Sequence, residues 1–174
     1  MNRHLLKKLA YGTQQYVTLL SIVLWLGGFT FYAACVVKVG SFVVGGTDQG
    51  YVTQLVTNTL QNIAVVMMCL VLVDICLYAR TNLKAVTLLR ITGWLVMAVA
   101  TAILFVVHGQ MDALLNVSTM ESPEDGLFSP LHQRYQFVIT FYWFASMFEL
   151  GFLLHTHKRF ALLSEDVANM GPIV

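Results

Sequence analysis

Four side chains able to bind a ligand or a metal crowd into one polar interval: His108, Asp112, His132 and Tyr135. The interval from His108 to Tyr135 is the longest polar break in an otherwise apolar sequence. Imidazoles at 108 and 132 can ligate the iron of haem b if two adjacent helices bring them face to face, and His108, Asp112 and His132 can instead hold a metal ion. No HxxEH-like or CxxC-like motif accompanies them, so spacing alone does not choose a metal. The plainer reading is a hydrogen-bonded clasp, with His108 and Asp112 paired one helical turn apart. Asn58 and Asn62, earlier in the chain, are expected to converge on the same cluster.

A second set of ionisable groups lies inside apolar runs. Arg90 and Glu149 are expected at comparable depth on facing helices, where an ion pair is the economical way to hold both charges in hydrocarbon. Tyr142, Ser146 and Thr101 lie between that pair and His108 and offer stations for a proton path, although a static salt bridge explains the same residues. Asp74 lies off the polar stripe of its helix and either competes for Arg90 or snorkels outward. Cys35, Cys69 and Cys76 read as small buried hydrophobes. Cys69 and Cys76 are about 10 Å apart along one helix, too far for a disulfide. Met67, Met68, Met97 and Met147 offer soft copper ligands but are better read as packing residues. His155 and His157, beside Lys158, suit lipid headgroups. No GxSxG-like elbow, phosphate loop or carboxylate pair supports hydrolase or transferase chemistry.

The elements that must position these groups follow from composition. With 57% hydrophobic and 11% charged residues in 174, the chain falls in the membrane class as one domain. Apolar periodic runs place spanning helices at about 16–37, 51–78, 85–107 and 130–155. The first run is longer than an ordinary signal core, and Tyr32 is the wrong residue to open a lipoprotein cleavage site at Cys35, so it reads as a retained span. Four glycines between Lys38 and Gly50 mark a turn region. The second helix, at about 42 Å, exceeds the ~30 Å hydrocarbon core and must tilt or project outward, with Gln54, Asn58, Gln61 and Asn62 in its outer part. Residues 80–84 form a tight basic connection. An outer loop, 108–129, includes a short amphipathic piece from Met111 to Val117. Ser129-Pro130 supplies a cap and a first-turn proline for the fourth helix, and 158–174 form a surface tail.

At about 100° per residue, Tyr135, Tyr142, Ser146 and Glu149 share one sector of the fourth helix, opposite Phe137, Phe141, Phe144, Phe148 and Phe152. The tyrosine and glutamate stripe should face inward. The phenylalanines should face lipid or a partner subunit, and lipid alone accounts for them. Arg90, Met97, Thr101 and His108 make a second stripe; Gln54, Asn58, Asn62, Cys69 and Cys76 make a third. Arg3, Lys7, Lys8, Arg80, Lys84, Arg90, Lys158 and Arg159 fall toward one side, with only Lys38 and Arg134 toward the other. Both termini are therefore expected in the cytoplasm, in a bacterial inner membrane.

Leu24-Trp25-Leu26-Gly27-Gly28-Phe29 in the first helix, the glycine-rich outer turn, His108 with Asp112, and His132-Gln133-Arg134-Tyr135 resemble a group of small bacterial membrane proteins. That group is classed with copper-resistance protein D-like and cisplatin-resistance-associated transmembrane proteins. The resemblance implies an all-α four-helix transmembrane bundle, and it carries no activity over. The chain departs from a copper carrier in having no Met or His copper motif on its outer face. The expectation is a non-catalytic accessory or structural subunit of a larger membrane assembly, in contact with lipid, with the outer cluster as a ligand or partner site. A haem- or metal-binding electron-transfer protein is the alternative, and an ion or small-solute carrier a third. Nothing points to nucleic acid.

Overall fold

The structure is a computed structural model that describes residues 3–79, 84–114 and 128–169, with side chains from Leu6 to His155 except at positions 7, 8, 46 and 47. All regular structure among the described residues is helical: α1 (Arg3–Phe31), a π-helical turn (Tyr32–Val36), α2 (Val37–Val43), α3 (Gly46–Tyr78), α4 (Lys84–Leu114) and α5 (Phe128–Asn169). The first three elements run as one rod, so four segments are long and apolar enough to cross a membrane: Leu9–Val43, Asp48–Tyr78, Lys84–Leu114 and Phe128–His155. Packing runs around a ring: α1 on α3, α3 on α4, α4 on α5 and α5 back on α1. Helices adjacent in sequence pack on one another, and the last closes on the first.

The expected helices all exist, and all are longer than expected. The first begins at Arg3, because nothing between there and Tyr16 breaks a helix. Its polar residues are absorbed by packing: Gln14 Nε2 and Thr18 Oγ1 approach the Leu70 carbonyl at 3.3 and 3.4 Å. The expected turn region from Lys38 to Gly50 shrinks to Val44 and Gly45. Gly45, at φ 94° and ψ 158°, is the described residue with a glycine-only backbone. Gly40 stays helical and has another role, since a Cβ there would collide with the Gln49 carboxamide. Its bare backbone lets the Gln49 side chain cross the hairpin.

The third helix runs through His108 to Leu114, so the start of the supposed outer loop is helix. Gly109 costs too little to stop it. The fourth begins at Phe128 rather than at a Ser129 cap. Pro130 is accommodated because the first four N–H groups of a helix have no intrahelical partner. It continues to Asn169, so residues 158–169 of the expected surface tail are helical, and nothing breaks the pattern before Gly171-Pro172. The acidic residues Glu121, Glu124 and Asp125 lie outside the described residues.

The core joins Ile22, Trp25, Met67, Val71, Met97, Leu104, Tyr142 and Leu153 from all four segments. Met67 and Met97 are fully buried and Met68 nearly so, whereas Met147 is exposed. The fourth-helix stripes fall as expected, with Tyr142, Ser146 and Glu149 inside and Phe137, Phe141, Phe144 and Phe148 outside. The expected stripe on α3 does not. Asn58, Asn62, Cys69 and Cys76 are exposed, and Cys35 is exposed as well, so the thiols are not core hydrophobes. The inward face of α3 is Thr57, Gln61, Ala64, Met67, Val71, Asp74 and Tyr78, about one residue step around the helix.

Candidate functional site

Two polar levels sit inside the ring of helices. At the level nearer the chain termini, Arg90 of α4 holds two carboxylates. Its NH2 nitrogen is 2.9 Å from Asp74 Oδ2 on α3, and its Nε is 3.1 Å from Glu149 Oε2 on α5. All three side chains are within 1% of complete burial. The expected Arg90 to Glu149 pair is present, and Asp74, left without a place by its sequence position, shares the same guanidinium. Gly93 makes room for the cluster, since a Cβ there would lie 3.0 Å from Glu149 Oε1.

Between the two levels the hydroxyls turn back on their own helices. Ser146 Oγ donates to the Tyr142 carbonyl at 2.9 Å and Thr101 Oγ1 to the Met97 carbonyl at 2.8 Å. The methionine sulfurs of Met68 and Met97 fill the gap beside them, at 3.1 Å from Thr101 and 3.4 Å from Ser146. Among the described residues these contacts form no continuous hydrogen-bonded chain from Glu149 to His108.

The second level is a cavity of about 380 Å³ in the half of the bundle away from the termini. Its floor is aromatic. Trp25 meets Tyr142 edge-on at 4.7 Å and stacks on Phe29 at 5.3 Å. Trp25 Nε1 donates to the Leu60 carbonyl at 3.2 Å, which fixes the indole across α1 and α3. The π-helical turn forms one wall, where Tyr32 Oη meets Thr53 Oγ1 at 3.0 Å. An inserted residue of this kind re-aims the side chains that follow it.

Four of the six expected site residues line this cavity: His108, Asp112, His132 and Tyr135. His108 Nε2 lies 3.6 Å from Asp112 Oδ1, and its ring is 6.0 Å from that of Tyr135 across α4 and α5. Asn58 and Asn62 are not brought in. They sit on the outer face of α3, and their place is taken by Thr57 and Gln61. The signal for those two was available: Gln54, Thr57, Gln61 and Ala64 follow the i, i+3, i+7 pattern that continues to Asp74. Against an almost wholly apolar helix, that pattern and the asparagine pattern one step away look alike.

Each histidine has a neighbour on its own helix. His108 Nε2 faces Asp112 and His132 Nε2 faces Gln136 at 2.9 Å, each one turn along its own helix. His132 also stacks on Phe128 at 5.9 Å. Among the described residues no three His, Cys, Asp or Glu side chains are placed to hold a metal ion, so the His108, Asp112 and His132 set does not assemble as metal ligands.

Several polar atoms on the cavity wall are left without hydrogen-bond partners. Both amide atoms of Gln61, Gln54 Oε1, His108 Nε2, His132 Nδ1 and Asp112 Oδ1 are buried and make no hydrogen bond. Gln61 is 4% exposed and His108 5%. Leaving a buried polar group unpaired costs about 1–3 kcal/mol. Six such atoms face one cavity, where a water or another polar molecule can pair them. The chain matches no family model, no curated protein and no solved structure.

Proposed function

We propose that this chain is an integral membrane protein whose role is to bind a small molecule in the outer half of its four-helix bundle, as a non-catalytic subunit of a larger membrane assembly. The observation that carries the reading is the set of unpaired polar atoms of Gln54, Gln61, His108, Asp112 and His132 around one cavity. Pockets that take small ligands share this size and this mixture of apolar wall with a few convergent polar groups. The Asp74, Arg90 and Glu149 cluster is the anchor that fixes α3, α4 and α5 beneath it.

Orientation follows from charge. Arg90 drops out of the count because it is buried in the ion cluster, but Arg3, Lys7, Lys8, Arg80, Lys84, Lys158 and Arg159 still fall toward the termini. That bias puts both termini in the cytoplasm of an inner membrane and the cavity on the opposite side. A 33-residue α3 is about 50 Å long, well beyond the ~30 Å hydrocarbon core, so the cavity mouth reaches the headgroups. Lipid covers the phenylalanine face of α5.

Native mass spectrometry on protein extracted gently from its own membrane tests the reading. The wild type should carry a small-molecule adduct that Gln61→Leu loses, together with any stoichiometric partner chain. An adduct-free, solitary wild-type chain would contradict it.

A further inference from the structure

The cavity wall also specifies the charge and shape of what fits. This inference rests on the cavity being a ligand site and concerns only the class of ligand. We propose that the ligand is a neutral, flat, ring-bearing amphiphile whose polar end both donates and accepts hydrogen bonds, seated against Gln61 and His108.

Charge comes first. Among the described residues no lysine or arginine lines the cavity, so an anion finds no counter-charge on these walls. Among the described residues Asp112 is the one carboxylate on the wall, it is 30% exposed, and His108 stands 3.6 Å from it. A permanent cation would meet, among the described residues of the wall, one carboxylate already facing an imidazole. Moving any net charge off water into so apolar a chamber is costly unless it is fully paired. A neutral molecule meets neither penalty.

Shape comes from the aromatic floor and walls. Trp25, Phe29, Tyr32, Tyr135 and Tyr142 present ring faces and edges from α1, the π-helical turn and α5, which suits a flat hydrophobic body. Polarity comes from Gln61, a buried side chain that carries both a donor and an acceptor, neither in a close hydrogen bond, with the Tyr135 hydroxyl as its nearest polar neighbour from α5. A hydroxyl or an amide group satisfies both at once, whereas a group that only accepts leaves the Gln61 oxygen unpaired. The His108 and Asp112 side chains together supply a third point of attachment from α4.

The test uses three probes of nearly equal size and different charge: 1-naphthol, N-methylquinolinium and 1-naphthoate. Each is titrated calorimetrically into the full chain in lipid nanodiscs, against empty nanodiscs. Naphthol should bind at least tenfold more tightly than either ion. Gln61→Met should weaken it at least tenfold, and Asn62→Met, one position around the helix, should leave it unchanged. An ion that binds as well as naphthol, or a Gln61→Met variant that is monodisperse and keeps its affinity, overturns the proposal. Alkylation of Thr57→Cys, in a chain with Cys35, Cys69 and Cys76 replaced by alanine, separates the two readings. If no probe binds while that thiol reacts readily, the ligand class is wrong and the cavity reading stands. If the thiol also resists reagent, the cavity reading fails as well.

Discussion

Arg90 Nε and Glu149 Oε2 lie 3.1 Å apart across the α4 and α5 interface, with Asp74 closing on the same guanidinium from α3. One cation thus ties three helices at a level where water has no access. Removing the cation alone strands two carboxylates, so Arg90→Met should destabilise the bundle by about 3–5 kcal/mol. Replacing all three groups with apolar residues of similar volume should recover most of that loss. Reversible unfolding in detergent with added denaturant reads both. A triple variant no more stable than Arg90→Met would show that the cluster does not act as one unit.

Gly93 is the clearance that lets Glu149 reach Arg90. A methyl group there would sit 3.0 Å from Glu149 Oε1, whereas one at Gly109 on the same helix would meet nothing within 4 Å. Gly93→Ala should cost about 1–3 kcal/mol, as small-to-large changes at packed sites do. Gly109→Ala should be neutral or slightly stabilising. Equal melting temperatures for the two variants would remove the steric role assigned to Gly93.

The hairpin between α2 and α3 turns at Val44 and Gly45. The Gly45 backbone at φ 94° and ψ 158° lies where side chains are strained, so Gly45→Ala should cost about 1–3 kcal/mol. Gly50→Ala, inside α3 with open space around it, should gain about 0.5–1 kcal/mol from helix propensity. Thermal unfolding of the two variants side by side decides the assignment, and a tolerated Gly45→Ala would contradict it.

Hydropathy and the 3.6-residue period reveal four helices, the inward stripes of α4 and α5, and the convergence of His108 with Tyr135. What they leave open has physical causes. Apolar runs mark only the part of a helix that suits hydrocarbon, while the backbone keeps its hydrogen bonds until a breaker intervenes, as at Gly45, so the helices outrun their apolar stretches. On α3 apolar residues surround the whole helix, so two polar registers one residue apart compete, and Asn58 with Asn62 lies on the outward-facing side of the true one. Asp74 belongs to the inward register and finds Arg90 for that reason. The partnering of Gln61 is invisible to sequence, since an unpaired amide is a property of three-dimensional surroundings.

The exposed thiols provide a check on which face meets lipid. Cys69 and Cys76 lie on the outward side of α3. In membranes they should react with a lipid-soluble maleimide such as N-pyrenylmaleimide and resist a charged, membrane-impermeant one. Mass spectrometry of the alkylated chain distinguishes the two. Ready labelling of Cys69 by the charged reagent would place that face in water and contradict the lipid assignment.

The central claim, a ligand cavity open on the side opposite the termini, is tested most directly by sided labelling of Thr57, which is buried on the cavity wall. Thr57→Cys in a chain lacking its native cysteines is exposed to an impermeant maleimide in right-side-out and in inside-out membrane vesicles. The account predicts labelling in right-side-out vesicles only. Labelling in inside-out vesicles only, or none until detergent is added, would contradict it.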